Sequence, residues 1–325
     1  MRRIRPGRAP ALALAALALA GCATRPPGPD SFSFAVIGDA PYTVREEQAF
    51  DAMLAALASE PLDFIVHVGD IKAGGDSPCT DAILADRKRR LDASRHPLVL
   101  TPGDNDWTDC RRDSNGKAAP LERLAKLREV FFADAWSLGR TRMPLARQDG
   151  CAERDGPACR CPGLPENRLW TRKGVVFATI HVVGSNDNRG FDAANDAEQA
   201  CRAAADREWI GRAIRLAEGA GYRGLVLATQ ADPWVKSRDG VYDALVAQVA
   251  AGAVRLAKPV LFVHGDTHAY RFDRPFRDAY GKPVENALRL ESFGSPEVGW
   301  VRVTVDPGDV ALFRVEPHPE APAGG

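Results

Sequence analysis

Apolar residues come in short, nearly unbroken runs at positions 32–37, 64–68, 97–100, 175–183, 224–228 and 259–263, and the chain beyond them soon turns to Gly, Asp, Asn or His. Runs without polar alternation suit strands covered on both faces. Stretches with helical spacing lie at 44–59, 79–94, 121–133, 196–218 and 241–256. Strand, helix, strand order predicts right-handed crossovers and a layered α/β core. Residues 288–315 alternate more and carry Gly and Pro turns, so they read as late strands closing a second sheet. Residues 140–164, rich in Arg, Gly, Pro and Cys, read as an irregular disulfide-held loop, and the tail beyond Glu316 as frayed.

With 325 residues, 45% hydrophobic and 26% charged, the chain can bury a sizeable core and reads as one domain with excursions. Lys plus Arg and Asp plus Glu stand at 43 each, a balance that offers no basic surface for nucleic acid. The start is less neutral. Arginines precede an apolar run at 9–20, which is followed by Leu19-Ala20-Gly21-Cys22. A bilayer core asks for roughly 20 apolar residues, so residues 1–21 read as an export leader. The four-residue motif resembles a bacterial lipobox, which implies an acylated Cys22 opening the mature chain and a lipid anchor in the cell envelope. Ala23 in place of Asp favours the outer membrane, residues 22–31 read as anchor and tether, 32–316 as the folded domain and 317–325 as the tail. Six further cysteines, Cys79, Cys110, Cys151, Cys159, Cys161 and Cys201, fit disulfides in an exported chain, and six thiols allow fifteen pairings.

The runs end on one chemistry: Gly38-Asp39, Gly69-Asp70, Gly103-Asp104 and Gly265-Asp266. A single such pair is a turn or a helix cap. Four at strand ends are different, because the carboxyl ends of strands in an α/β sheet line one crevice. Carboxylates gathered there repel one another unless a cation neutralises them, so the pattern points to divalent metal.

In this order, Gly38-Asp39, Gly69-Asp70, Gly103-Asp104-Asn105-Asp106 and Gly265-Asp266-Thr267-His268, with Thr229-Gln230-Ala231-Asp232 after the run at 224–228, resemble the blocks of the calcineurin-like metallophosphoesterases. The resemblance implies a β-sandwich of two mixed sheets flanked by helices, and hydrolysis of phosphate esters at two metal ions. It makes Asp39 a ligand of the first ion, Asp70 the bridge and His268 the completing nitrogen. Other positions depart from the pattern. Pro41 stands where many members carry a His ligand, and Ala73 stands where purple acid phosphatases carry a Tyr, which argues against a ferric tyrosinate. At the second ion Asp104, Gln230 and Asp266 replace an Asn and two His. The exchange favours oxygen ligands, and so Mg, Mn or Ca over Zn.

Asn105 occupies the position of the family's catalytic His, and an amide donates a hydrogen bond but transfers no proton. His264 and His181 are the candidates to stand in, while His67 reads as core and His96 as a loop residue. Trp107, Asn186, Arg189 and Arg271 fall near strand ends where substrate contacts would be useful. Cys79 and Cys110 flank the second and third Gly-Asp loops and are expected to pair. The reading is a metal-dependent hydrolase of a small phosphorylated substrate outside the cytoplasm. The alternatives are a turnover-free binding module for a phosphorylated or sugar ligand, and an envelope lipoprotein of purely structural role. Substrate and oligomeric state stay open.

Overall fold

The computed structural model describes residues 28–150, 163–235 and 237–319. The leader, Cys22, Cys151, Cys159 and Cys161 lie outside the described residues. Strands β1 (Phe32–Ile37), β2 (Phe64–His67), β3 (Leu98–Leu100), β11 (Trp300–Val305) and β12 (Phe313–His318) form one sheet in the order β12-β11-β1-β2-β3. The other holds β4 (Ala146–Gln148), β5 (Leu164–Arg172), β6 (Val175–Thr179), β7 (Gly224–Ala228), β8 (Val260–His264), β9 (Arg271–Asp273) and β10 (Ala287–Glu291), ordered β4-β5-β6-β7-β8-β10-β9. Two mixed sheets flanked by helices is the architecture that the resemblance implies.

Strand periodicity divides the core into layers. Phe34 and Val36 face the other sheet and meet Phe64, Phe177, Leu261 and Val263, whereas Ala35 and Ile37 face outward beneath a helical layer. That layer comprises α1 (Val44–Leu57), α2 (Asp81–Asp92) and α3 (Pro120–Phe131), whose Phe50, Leu54, Leu84, Leu91 and Leu127 complete the outer core. On the second sheet, α5 (Ala193–Glu218) and α6 (Asp243–Leu256), which follow the single turn α4 (Gly184–Asp187), place Trp209, Ile214 and Val249 over Val176, Leu225 and Phe262. Burying each large apolar side chain stabilises the fold by roughly 1.5–3 kcal/mol.

The late strands do not all close the second sheet. β10 pairs with β8 there, but β11 crosses to pair antiparallel with β1, Phe32 opposite Val305. Its alternation accounts for the placement: Val301, Val303 and Val305 are buried inward while Arg302 and Thr304 are less so, as suits a strand covered on one face. The last strand also runs to His318, past the expected domain end. Cys79 and Cys110 form a disulfide with Cα atoms 5.6 Å apart, and Cys201 is disulfide-bonded as well. No helix among the described residues is long and apolar enough to cross a membrane.

Candidate metal centre

Parallel register brings four turns to one edge. Ile37 lies beside His67 and His67 beside Leu100, so the loops after β1, β2 and β3 open together, with the loop after β8 facing them from the second sheet. Asp39, Asp70, Asp266 and His268 all sit at left-handed φ, of 50°, 56°, 80° and 63°, a region few L-residues occupy outside turns and functional sites. The glycine of one pair makes room for the acid of another. A Cβ on Gly103 would come within 2.0 Å of Asp70 Oδ1, and one on Gly265 within 2.0 Å of Asp39 Oδ2. Gly-Asp is therefore a packing requirement as well as a turn signal.

Donor atoms of Asp39, Asp70 and His268 all lie within 4.8 Å of one another. His268 Nδ1 bonds to the Ser295 carbonyl at 2.7 Å. That contact turns Nε2 toward the acids, 3.9 Å from Asp39 Oδ1, the orienting arrangement usual for a ligating imidazole. Asp70 Oδ1 accepts from the Asn105 backbone at 3.0 Å, and Asp39 Oδ1 from Asp266 N at 3.0 Å. Asp104 and Asp266 flank Gly184, whose Cβ position is 2.9 Å and 2.6 Å from their nearest carboxylate oxygens. Asp39 Oδ2 and Asp104 Oδ1 are buried with no hydrogen-bond partner. A desolvated carboxylate oxygen without a partner is costly, and a cation is the group that removes the cost. The donor set fits divalent metal on that ground. Burial first, then mutual repulsion, pushes Asp39 and Asp70 well above the carboxylate range and Asp104 and Asp266 up to about 6.

Four residues depart from the roles expected of them. Gln230 turns its carbonyl oxygen away, accepting from Gly184 N at 2.6 Å, and offers its amide nitrogen to Asp70 Oδ2 at 3.3 Å and Asp266 Oδ1 at 3.2 Å. It donates to the acids instead of presenting oxygen, because the buried Gly184 N–H needs that acceptor. Asn105 likewise spends both amide hydrogens within the cluster, on Tyr42 Oη and Asp70 Oδ2 at 2.9 Å each. His264 and His181 do not stand in as acids. His181 is buried, held to Glu166 by Nδ1 at 2.7 Å and edge-on to Trp107, itself wholly buried and no aromatic wall. His264 is buried, its Nδ1 on Gly265 O at 2.8 Å, and desolvation lowers it to about 4. It belongs to a second group with Asp232 and Glu291. Arg271 Nη1 lies there 3.2 Å from Asp232 Oδ2 and 3.1 Å from Glu291 Oε2.

Two contributors escape the sequence reading. Asp106 accepts from Gly103 N, Ile71 N and Asp70 N at 2.8, 2.8 and 3.2 Å, tying the second loop to the third. Its position two residues after Asp104 was the available signal. Tyr42 sends its hydroxyl among the ligands: Oη is 3.2 Å from Asp70 Oδ2 and 3.3 Å from His268 Nε2. The signal here was Thr43-x-x-Glu46, a capping box. Thr43 Oγ1 caps Glu46 N at 3.2 Å, and Glu46 Oε2 returns to Tyr42 N at 2.7 Å.

Beside the acids opens a cleft of about 370 Å³ lined by Arg111, Arg112, Ser185, Asn186, Arg238 and Asp266, among others. Arg111 and Arg112 share the buried Asp109, while Arg238 is exposed and donates its backbone N–H to Asn186.

No family model matches the chain, and no curated protein does. Among solved structures, a dimetal phosphatase from Danio rerio is similar at 11% identity, with 89% of this chain and 99% of that one covered and a TM-score of 0.49. A phosphatase from Mycoplasma pneumoniae gives 11%, 89% and 93%, and 0.45. Vacuolar protein sorting 29 from Cryptosporidium parvum gives 10%, 89% and 97%, and 0.34. At that level of likeness none of them bears on what this chain does.

Proposed function

We propose that the chain is a metal-dependent phosphoesterase, exported and held at the envelope through Cys22. The observation that carries the reading is the pair of buried, unpartnered oxygens, Asp39 Oδ2 and Asp104 Oδ1, beside a cleft lined by three arginines. Asp39, Asp70 and His268 would hold one divalent ion, and Asp70, Asp104 and Asp266 a second, both oxygen-preferring. Such ions supply charge neutralisation at the phosphoryl group and activation of water. The chain's own residues do the rest. Arg111, Arg112 and Arg238 attract and orient the ester, Asp106 fixes the two loops, and His268 is held in register by Ser295. Ser185, whose hydroxyl bonds Asp109 at 2.7 Å, presents a polar edge between arginines and acids.

The site offers no protonated imidazole for the leaving oxygen, since His181 and His264 are locked away and Asn105 is committed. That observation favours the second reading, a binding module without turnover. Titration of the purified chain with Mn²⁺, followed by assay on an aryl phosphate, separates the two. Binding with turnover supports the esterase, binding without turnover the module, and no binding overturns both. The anchor rests on the leader sequence, and Cys22→Ser should move the protein from the membrane to the soluble fraction.

A further inference from the structure

We infer that Tyr42 is a metal ligand, giving the centre a phenolate oxygen where Pro41 leaves a donor missing. The inference rests on the metal-site reading above. In a six-coordinate ion with bonds of about 2.1 Å, neighbouring donor atoms are about 3.0 Å apart and opposite ones about 4.2 Å. Tyr42 Oη stands 3.2 Å from Asp70 Oδ2 and 3.3 Å from His268 Nε2, both neighbour spacings. His268 Nε2 and Asp39 Oδ1, at 3.9 Å, come near the opposite spacing. The phenol oxygen thus completes an edge of the polyhedron that the acids and the imidazole outline.

Three further contacts hold it there. Glu46 Oε2 fixes the Tyr42 backbone at 2.7 Å, the ring packs edge-on to His268 with centroids 5.3 Å apart, and Asn105 Nδ2 donates to Oη at 2.9 Å. The Asn105 N–H occupies one lone pair of an oxygen whose own O–H is directed at Asp70 Oδ2, so the phenol oxygen is held facing the acids. On coordination the phenol O–H bond breaks, its electron pair goes to the ion and the proton leaves to solvent. Ala73 does remove the phenol expected in purple acid phosphatases, yet Tyr42 brings one in from the loop after β1.

Ferric ion is the probe, because a ferric phenolate absorbs visible light and none of the other ligands does. The full chain loaded with Fe³⁺ should be coloured, and Tyr42→Phe should lose the colour while keeping its iron content. Tyr42→His, which retains a donor without a phenolate, should bind iron and stay colourless. Circular dichroism establishes that each variant is folded. Iron bound without a visible band in the parent, or a band that survives Tyr42→Phe, overturns the inference and leaves the metal site standing. Failure of the parent to take up iron, Mn²⁺ or Mg²⁺ overturns both.

Discussion

Among the described residues stand two groups of two carboxylates and one imidazole, each with donor atoms within 4.8 Å: Asp39, Asp70 and His268, and Asp232, His264 and Glu291. By inventory they are the same metal site. Their countercharges separate them. Around the second, Arg271 spans both acids and Arg289 Nη1 lies 3.9 Å from Asp232, while Thr267 bonds Glu291. Around the first, the buried ammonium of Lys72 interacts with Asp106 before Asp70, and Asp39 Oδ2 and the neighbouring Asp104 Oδ1 lack a hydrogen bond, whereas Glu291 Oε2 of the second, which also lacks one, faces Arg271 at 3.1 Å. A cluster already neutralised by the protein is structure, and one left in deficit asks for an ion.

The largest effect that would break this contrast is at the ligands. Asp70→Asn should remove metal uptake and lower kcat/KM by more than about 100-fold, whereas Asp232→Asn should leave metal content unchanged. Elemental analysis beside kinetics decides it, and equal losses from both would erase the distinction. The locked His264 and His181 set the next effect. With no side-chain acid at the first cluster, aryl phosphates should be hydrolysed about 10²–10⁴-fold faster than alkyl phosphates, and equal rates would place a proton donor there.

Stripping the second cluster of its guanidiniums tests the idea from the other side. Arg271→Ala with Arg289→Ala should lower the melting temperature by several degrees, and Mn²⁺ should restore part of it as the freed acids and His264 take an ion. A stoichiometry unchanged from the parent counts against countercharge as the deciding factor.

A smaller effect is set by pH. Asp104 and Asp266 are raised to about 6 from an ordinary 3.8, so in the metal-free fold their contribution to stability is intact below the ordinary value. It is lost as pH rises through about 6. Mn²⁺ relieves that loss, so its stabilisation in thermal melts should be larger at about pH 7.5 than at about pH 5, and a flat dependence would mean the acids are not where the ion binds. Least of all, Arg238→Ala should raise KM about tenfold with kcat little changed, as expected of an exposed guanidinium that binds the ester without touching the metals.

Strand ends and acids were legible because each has a local cause: nearly unbroken apolar runs for β1, β2 and β8, and a Gly-Asp turn soon after each. What could not be read depends on distant partners. Gln230 looks like an oxygen ligand until the Gly184 N–H claims its carbonyl. His264 ends a strand where a proton donor would be useful, yet burial silences it, and Arg289 and Arg271, arriving from β10 and β9, add to the effect. Tyr42 was invisible because no motif marks it, although Thr43 and Glu46 mark the cap that fixes its backbone. β11 crossed to the first sheet since alternation states how many faces are covered and not by which sheet.

Gly103 nests against Asp70 and Gly265 against Asp39 so closely that a methyl group on either glycine would fall 2.0 Å from a carboxylate oxygen. The four positions are thus two locks, and neither half of a lock can drift alone. A methyl on Gly103 would also meet the Asp70 backbone nitrogen at 2.3 Å, so trimming that side chain does not admit it; a methyl on Gly265 asks Asp39 to give way. A library that varies these codons independently will return the starting residues far more often than one that varies any four surface codons.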